Sequence, residues 1–268
     1  MTEITTLHEH ARNIRRNVVR MTHAAGSGHP GGSLGMADVF AALYFRVMRF
    51  RPENPLWEGR DRFILSNGHI CPVWYATLAE CGAIPKEELL TLRKLGSRLQ
   101  GHPANVDFPL AELATGSLGQ GFPASVGLAL ANRLNHREGR VFVSLGDGEL
   151  QEGSCWEAFM AAAHYKLGNL TAFIDRNGQQ QAGRTEEMLA LEPLADKLRA
   201  FGWHVIEADG HDIGRILEAF RAASETGPNV IIFRTVMGKG VSFMEHNFEW
   251  HGTVPSDEQL KRALEELA

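Results

Sequence analysis

The sequence predicts an α/β fold in three layers, α/β/α, with a mainly parallel sheet in the middle. Three observations predict it. Apolar runs of strand length alternate with longer stretches of helical periodicity. Breaker-rich segments at 66–69, 146–148, 176–184, 210–212 and 237–252 each follow one of those runs, as expected where an open parallel sheet gathers its ligand-binding loops beyond the strand ends. The third is size: 268 residues with no repeat or linker can share one core, so 1–268 reads as a single domain.

Leu7, Ala11, Ile14, Val18, Met21 and Ala25 recur at steps of four and three, one face of an amphipathic helix that Gly26 is placed to end. Residues 26–35 hold five glycines, two serines and a proline, which predicts a fixed loop, with a helix from about 36 to 48 after it. Strands are predicted at 62–65, 141–145, 170–175, 203–208 and 230–236. Helical periodicity fills 72–81, 86–95, 119–134, 149–167, 189–201 and 213–224. Ser256-Asp257-Glu258-Gln259 is a capping box opening a short last helix, with Leu260, Leu264 and Leu267 on one face.

A net charge of −5 argues against a nucleic-acid or anionic-membrane surface. Cys71, Cys81 and Cys155 are odd in number and lack Cys-x-x-Cys spacing, so neither a zinc ribbon nor a disulfide framework is indicated. No uncharged run approaches the ~18 residues that span a bilayer, and Met1-Thr2-Glu3-Ile4 opens no signal pattern. The expected setting is cytoplasmic.

The chemistry concentrates after two strands. Val141-Phe142-Val143-Ser144-Leu145 runs into Gly146-Asp147-Gly148, and Leu170 to Asp175 runs into Arg176-Asn177-Gly178. If these strands are parallel neighbours, their ends lie ~5 Å apart and Asp147 and Asn177 offer oxygens to one point. Magnesium takes few protein carboxylates and completes its shell with water and phosphate oxygens, so the pair predicts a phosphorylated cofactor. Asp-Gly is also a hairpin signal, but Cys155, Trp156, Phe159, Ala162 and Ala163 continue at helical spacing. A strand, a Gly-Asp-Gly turn and a helix instead make a phosphate-accepting geometry.

Three histidines occupy separate breaker-rich loops: His29 in Ser27-Gly28-His29-Pro30-Gly31, His69 in Ser66-Asn67-Gly68-His69, and His102 in Gly101-His102-Pro103. Each alone reads as structural. Together they could bind anionic oxygens and pass protons to a carbohydrate hydroxyl; a three-histidine metal site lacks His-x-x-x-His spacing. Thr115 to Gly121 is either a glycine-bearing helix cap or a loop holding the edge of a heterocycle. Gly238-Lys239-Gly240 and His251-Gly252 are open between surface turns and site loops.

In order and spacing, from about His8 to Gly252, these motifs resemble the N-terminal half of transketolase, a thiamin-diphosphate enzyme. Gly-Asp-Gly with the following Asn is shared by many thiamin enzymes; the histidine motifs favour transketolase. The resemblance implies the diphosphate-binding domain of that family. It implies magnesium or calcium on Asp147, Asn177 and the carbonyl of Gln179, and thiamin diphosphate contacted by His69, Gly116, Ser117, Leu118, Gly146 and Gly148. Glu152 would stand at the interface between paired active sites. His29 and His102 would lie by the sugar hydroxyls, and either His251 or His246 would serve as the histidine of the closing loop.

In that family a second domain supplies the aminopyrimidine glutamate, the aromatic shelf and the phosphate-gripping basic residues. By resemblance, then, this is the N-terminal subunit of a split transketolase. It is expected to work with a separate C-terminal subunit, two copies of each, and to be inactive alone. Together they would move a two-carbon ketol unit from a ketose, expected to be phosphorylated, to an aldose. The alternatives are one chain of another split thiamin enzyme, such as a 2-oxoacid dehydrogenase α chain or half of a deoxyxylulose-phosphate synthase, and a non-catalytic stabilising subunit.

Overall fold

A computed structural model describes residues 2–268. Helix α1 (Glu3–Ala25) buries Leu7, Ala11, Ile14, Val18 and Met21, and Gly26 ends it at φ 62°. The segment expected to be a loop at 26–35 is helical from Pro30: α2 (Pro30–Gly35) is followed by α3 (Ala37–Ala42) and a widened π-turn, Leu43–Val47. Proline is favourable at the first helical position, and all six residues of α2 are buried, so packing overrides the weak helical propensity of its glycines.

Strand β1 (Arg62–Leu65) leads through a 3₁₀ turn, Gly68–Ile70, into α4 (Cys71–Glu80). The helix predicted over 86–95 is a 3₁₀ segment, Lys86–Thr91. Next come α5 (Gly121–Leu134), β2 (Val141–Gly146), a 3₁₀ turn at Gly148–Gln151 and α6 (Gly153–His164). After β3 (Leu170–Arg176) the chain makes a small ribbon not foreseen in the sequence, β4 (Gln179–Gln180) paired antiparallel with β5 (Gly183–Arg184). Then follow α7 (Thr185–Met188), α8 (Leu194–Ala200), β6 (His204–Asp209), α9 (Ile213–Arg221), β7 (Asn229–Arg234) and, behind its capping box, α10 (Asp257–Glu266).

The five long strands are parallel, in the order β1-β2-β3-β7-β6. Alternation splits the core by face. Phe63, Phe142, Phe173 and Phe233 pack with α1, α3, α4 and α9; Ile64, Val143, Ala172, Ile174 and Ile232 pack with α5, α6 and α8. The chain advances from β1 to β3, skips to the edge as β6, then returns through α9 to insert β7 beside β3. Right-handed crossovers running in opposite directions put their helices on opposite faces. The order reverses between β3 and β7, and the loops part there to make the cavity. No helix among the described residues is long and apolar enough to cross a membrane.

Candidate active site

A cavity of about 350 Å³ opens beyond the carboxyl ends of β2, β3 and β7. Register explains who reaches it: Gly146 ends β2 paired with Asp175, one residue before the end of β3, so Asp147 and Asn177 are the first residues beyond two neighbouring strands. Asp147, Asn177 and Gln179 all line the cavity. The Asp147 carboxylate is almost fully buried and its oxygens are organised by neighbours: Oδ1 accepts from the Gly148 amide (2.9 Å), and Oδ2 from the Gly178 amide (2.8 Å) and Arg176 (3.0 Å). Burial pushes its pKa above the usual carboxylate range, with Arg176 and the two amides pulling the other way. Asn177 donates to Asp175 (2.8 Å) and accepts from the Gln179 amide (2.8 Å), which leaves Oδ1 with one spare lone pair.

Four histidines meet in the same cavity. The His29 ring centroid lies 5.3 Å from His69, 6.3 Å from His102 and 5.4 Å from His251, with His69 to His251 at 5.0 Å. His246 instead borders an adjoining hollow beside Gly178 and Arg184. Burial, then His251, Arg93 and His102, push the His29 pKa down to about 4. His69 is well below its ordinary value, chiefly through burial, and His102 and His251 are lowered for the same first reason. Near pH 7 these rings are neutral. Each presents one N–H donor and one nitrogen acceptor, so the expected contacts with anionic oxygens and hydroxyls would be hydrogen bonds.

Loop contact builds the floor. Gly68 touches the backbone of Thr115 and Gly116, and a Cβ there would come within 2.8 Å of the Gly116 nitrogen. Gly116, at φ 128°, carries the His102 ring against its Cα. Gly116 and Leu118 line the cavity, whereas Ser117 is exposed and does not. Glu152 is also exposed, packed against Gly119 outside the cavity. The Gly148 amide, expected to serve the diphosphate, is committed to Asp147.

Three residues at this site carried no distinctive signal in the sequence. Glu149, 1% exposed, accepts from Ser66 Oγ (2.5 Å), the Gly119 amide (3.0 Å) and the Gly146 amide (3.2 Å), tying three loops together; burial lifts its pKa to about 7. Asp175, also moved to about 7 by burial with Asp147 adding to it, accepts from Thr235 and Asn177. Arg93 stands beside His29 and His102 while bonding Ser27 and Gly101. Only spatial neighbours reveal these roles.

The residues fit a metal-bound diphosphate. A single carboxylate, a primary amide and a nearby backbone carbonyl suit a cation that completes its shell from phosphate and water, and buried Asn67 and Gln179 side-chain atoms lack partners among the described residues where a polar ligand would lie. Among the described residues no group of three His, Cys, Asp or Glu is arranged to hold a metal. The sequence profile described as "Transketolase, thiamine diphosphate binding domain" matches residues 7–268. The chain belongs to the transketolase family. It is 41% identical to one of the subunits of an apulose-4-phosphate transketolase from Phocaeicola vulgatus, over 99% of this chain and 95% of that protein. It is 43% identical to a 6-deoxy-6-sulfo-D-fructose transketolase subunit of a Clostridium species, over 97% and 96%. The transketolase crystal structure from Campylobacter jejuni superposes with a TM-score of 0.93 at 33% identity, covering 99% of this chain and 43% of that one. The chain thus spans about two fifths of the solved full-length transketolases and nearly all of the relatives named as single subunits.

Proposed function

We propose that the chain is the N-terminal, diphosphate-binding subunit of a two-chain transketolase, working with a C-terminal subunit in two copies of each. The pair would transfer a two-carbon ketol unit from a ketose, phosphorylated at its far end, to an aldose. Likeness to proteins that are themselves named as transketolase subunits, over nearly their whole length, supports the two-chain form. The observation that carries the chemistry is the convergence of Asp147 and Asn177, from adjacent strand ends, on one cavity with four histidines. When bound, thiamin diphosphate supplies the electron sink that lets a carbon–carbon bond break beside a carbonyl.

This chain's own residues hold and orient. Asp147, Asn177 and the Gln179 carbonyl would hold Mg²⁺, or Ca²⁺, against the diphosphate, with Gly146 and Gly148 letting it approach the backbone. Gly116 and Leu118 would face the aminopyrimidine, and His69 the diphosphate. His29, His102 and His251 reach the sugar side as neutral imidazoles, able to take a hydroxyl proton at one nitrogen while donating from the other. The chain co-expressed with its C-terminal subunit should transfer ketol units in the presence of Mg²⁺, and Asp147→Ala should lower that activity at least a hundredfold at limiting Mg²⁺, on the order expected for loss of a metal ligand. Full activity of Asp147→Ala under those conditions would refute the metal assignment.

A further inference from the structure

Asn67 is the most conspicuous polar side chain without a partner. It is 1% exposed, lines the main cavity, and neither Oδ1 nor Nδ2 has a hydrogen-bond partner among the described residues. Its backbone is engaged, because the Ile70 amide bonds its carbonyl at 3.0 Å and its own amide reaches the Ser144 carbonyl at 3.4 Å. The side chain is therefore held at the wall with both ends idle. A buried amide with both ends unsatisfied is unfavourable on its own, an arrangement that points to a missing ligand.

Its surroundings say which ligand. A Cβ on Gly146 would lie 3.6 Å from the Asn67 Cβ and 3.8 Å from Nδ2, so the amide sits against the Gly-Asp-Gly turn. Four backbone donors of that corner are spent on the protein: the Gly146 amide on Glu149, the Gly148 and Gly178 amides on Asp147, and the Gln179 amide on Asn177. An anion arriving there finds the Asn67 NH₂ group uncommitted. We propose that Asn67 is a diphosphate-binding residue, its Nδ2 donating to a phosphate oxygen of the cofactor. The assignment rests on the thiamin diphosphate reading above and adds to it a donor from the loop after β1.

The test measures binding rather than turnover. Calorimetric titration of the full chain with inorganic pyrophosphate in Mg²⁺, and separately with thiamin diphosphate, is compared for wild type, Asn67→Leu, Asn67→Asp and Asp147→Ala, alongside melting of each ligand-free chain. Leucine keeps the size of the side chain and removes its idle polar atoms. Asn67→Leu should melt no earlier than wild type yet bind pyrophosphate roughly ten- to a hundredfold more weakly. Asn67→Asp, which sets a carboxylate against the anion, should bind more weakly still. Wild-type affinity in Asn67→Leu, or affinity in Asn67→Asp equal to or tighter than wild type, overturns the proposal. If Asn67→Leu loses stability as well as affinity, the isosteric Asn67→Asp decides between the two results. A wild-type chain that takes up no pyrophosphate, or an Asp147→Ala chain that binds as wild type does, sinks the cofactor reading and this proposal with it.

Discussion

At the residue scale the site works by burial more than by formal charge. His29 takes up a proton only near pH 4, against an ordinary value of 6.5, because its ring is desolvated and faces His251, Arg93 and His102. An unfolded chain therefore binds more protons than the folded one between those values, and the stability this histidine contributes is full above about pH 6.5 and lost as pH falls through the window. His69, His102 and His251 are shifted in the same direction. The melting temperature should fall by several degrees from about pH 7 to about pH 5, and replacing His29 by Gln should flatten that slope; an unchanged slope would contradict a buried neutral ring. Glu149 is governed by the same burial. Its carboxylate is shared by Ser66, Gly119 and Gly146, so Glu149→Ala should cost about 1–3 kcal/mol or more in stability, read by denaturant melts, by orphaning three buried donors. None of this was legible in the sequence, where Glu149 reads as the first turn of a helix: its partners come from loops remote in the chain.

At the scale of elements, a buried relay holds the loop that brings His251 to the cavity. Val236, just past β7, donates its amide to His211 Nε2 (2.9 Å), which leaves the proton on Nδ1 to donate to Asp38 (2.9 Å). Burial alone would raise the Asp38 carboxyl, but Arg15 and His211 hold it below the usual range, and Arg15 also grips the Leu34 carbonyl on α2. The Gly238 amide then bonds the Gly31 carbonyl at 2.9 Å. The helix behind His29 and the loop of His251 are thus fixed to each other. His211→Ala should speed hydrogen exchange at the Val236 and Gly238 amides and lower stability by about 1–3 kcal/mol; unchanged exchange there would mean the relay holds nothing. Sequence patterning foresaw the strands and most helices because their faces are periodic. It failed at Pro30–Gly35, where burial outweighs glycine propensity, and at Gln179–Gln180 with Gly183–Arg184, whose two-residue strands are too short to carry a period.

For the whole molecule, topology makes the site. Parallel strands end at one edge, the reversal between β3 and β7 opens a cavity there, and loops from positions 29, 69, 116, 147, 177 and 251 converge on it. Asp147 and Asn177 could be paired from sequence because each directly follows a buried strand; Arg176, which grips Asp147 together with Glu186 and Glu192, could not, since only the folded loop brings those carboxylates to it. Ketol transfer should appear only when the C-terminal subunit is present, and the chain alone should give none; equal activity without it would contradict the two-chain account. The most direct measurement is anomalous diffraction from crystals of the chain grown with thiamin diphosphate and Mn²⁺ in place of Mg²⁺. One strong manganese peak is expected about 2.1–2.3 Å from oxygens of Asp147, Asn177 and the Gln179 carbonyl. A peak among the histidines, or bound cofactor with no metal at Asp147, would contradict it.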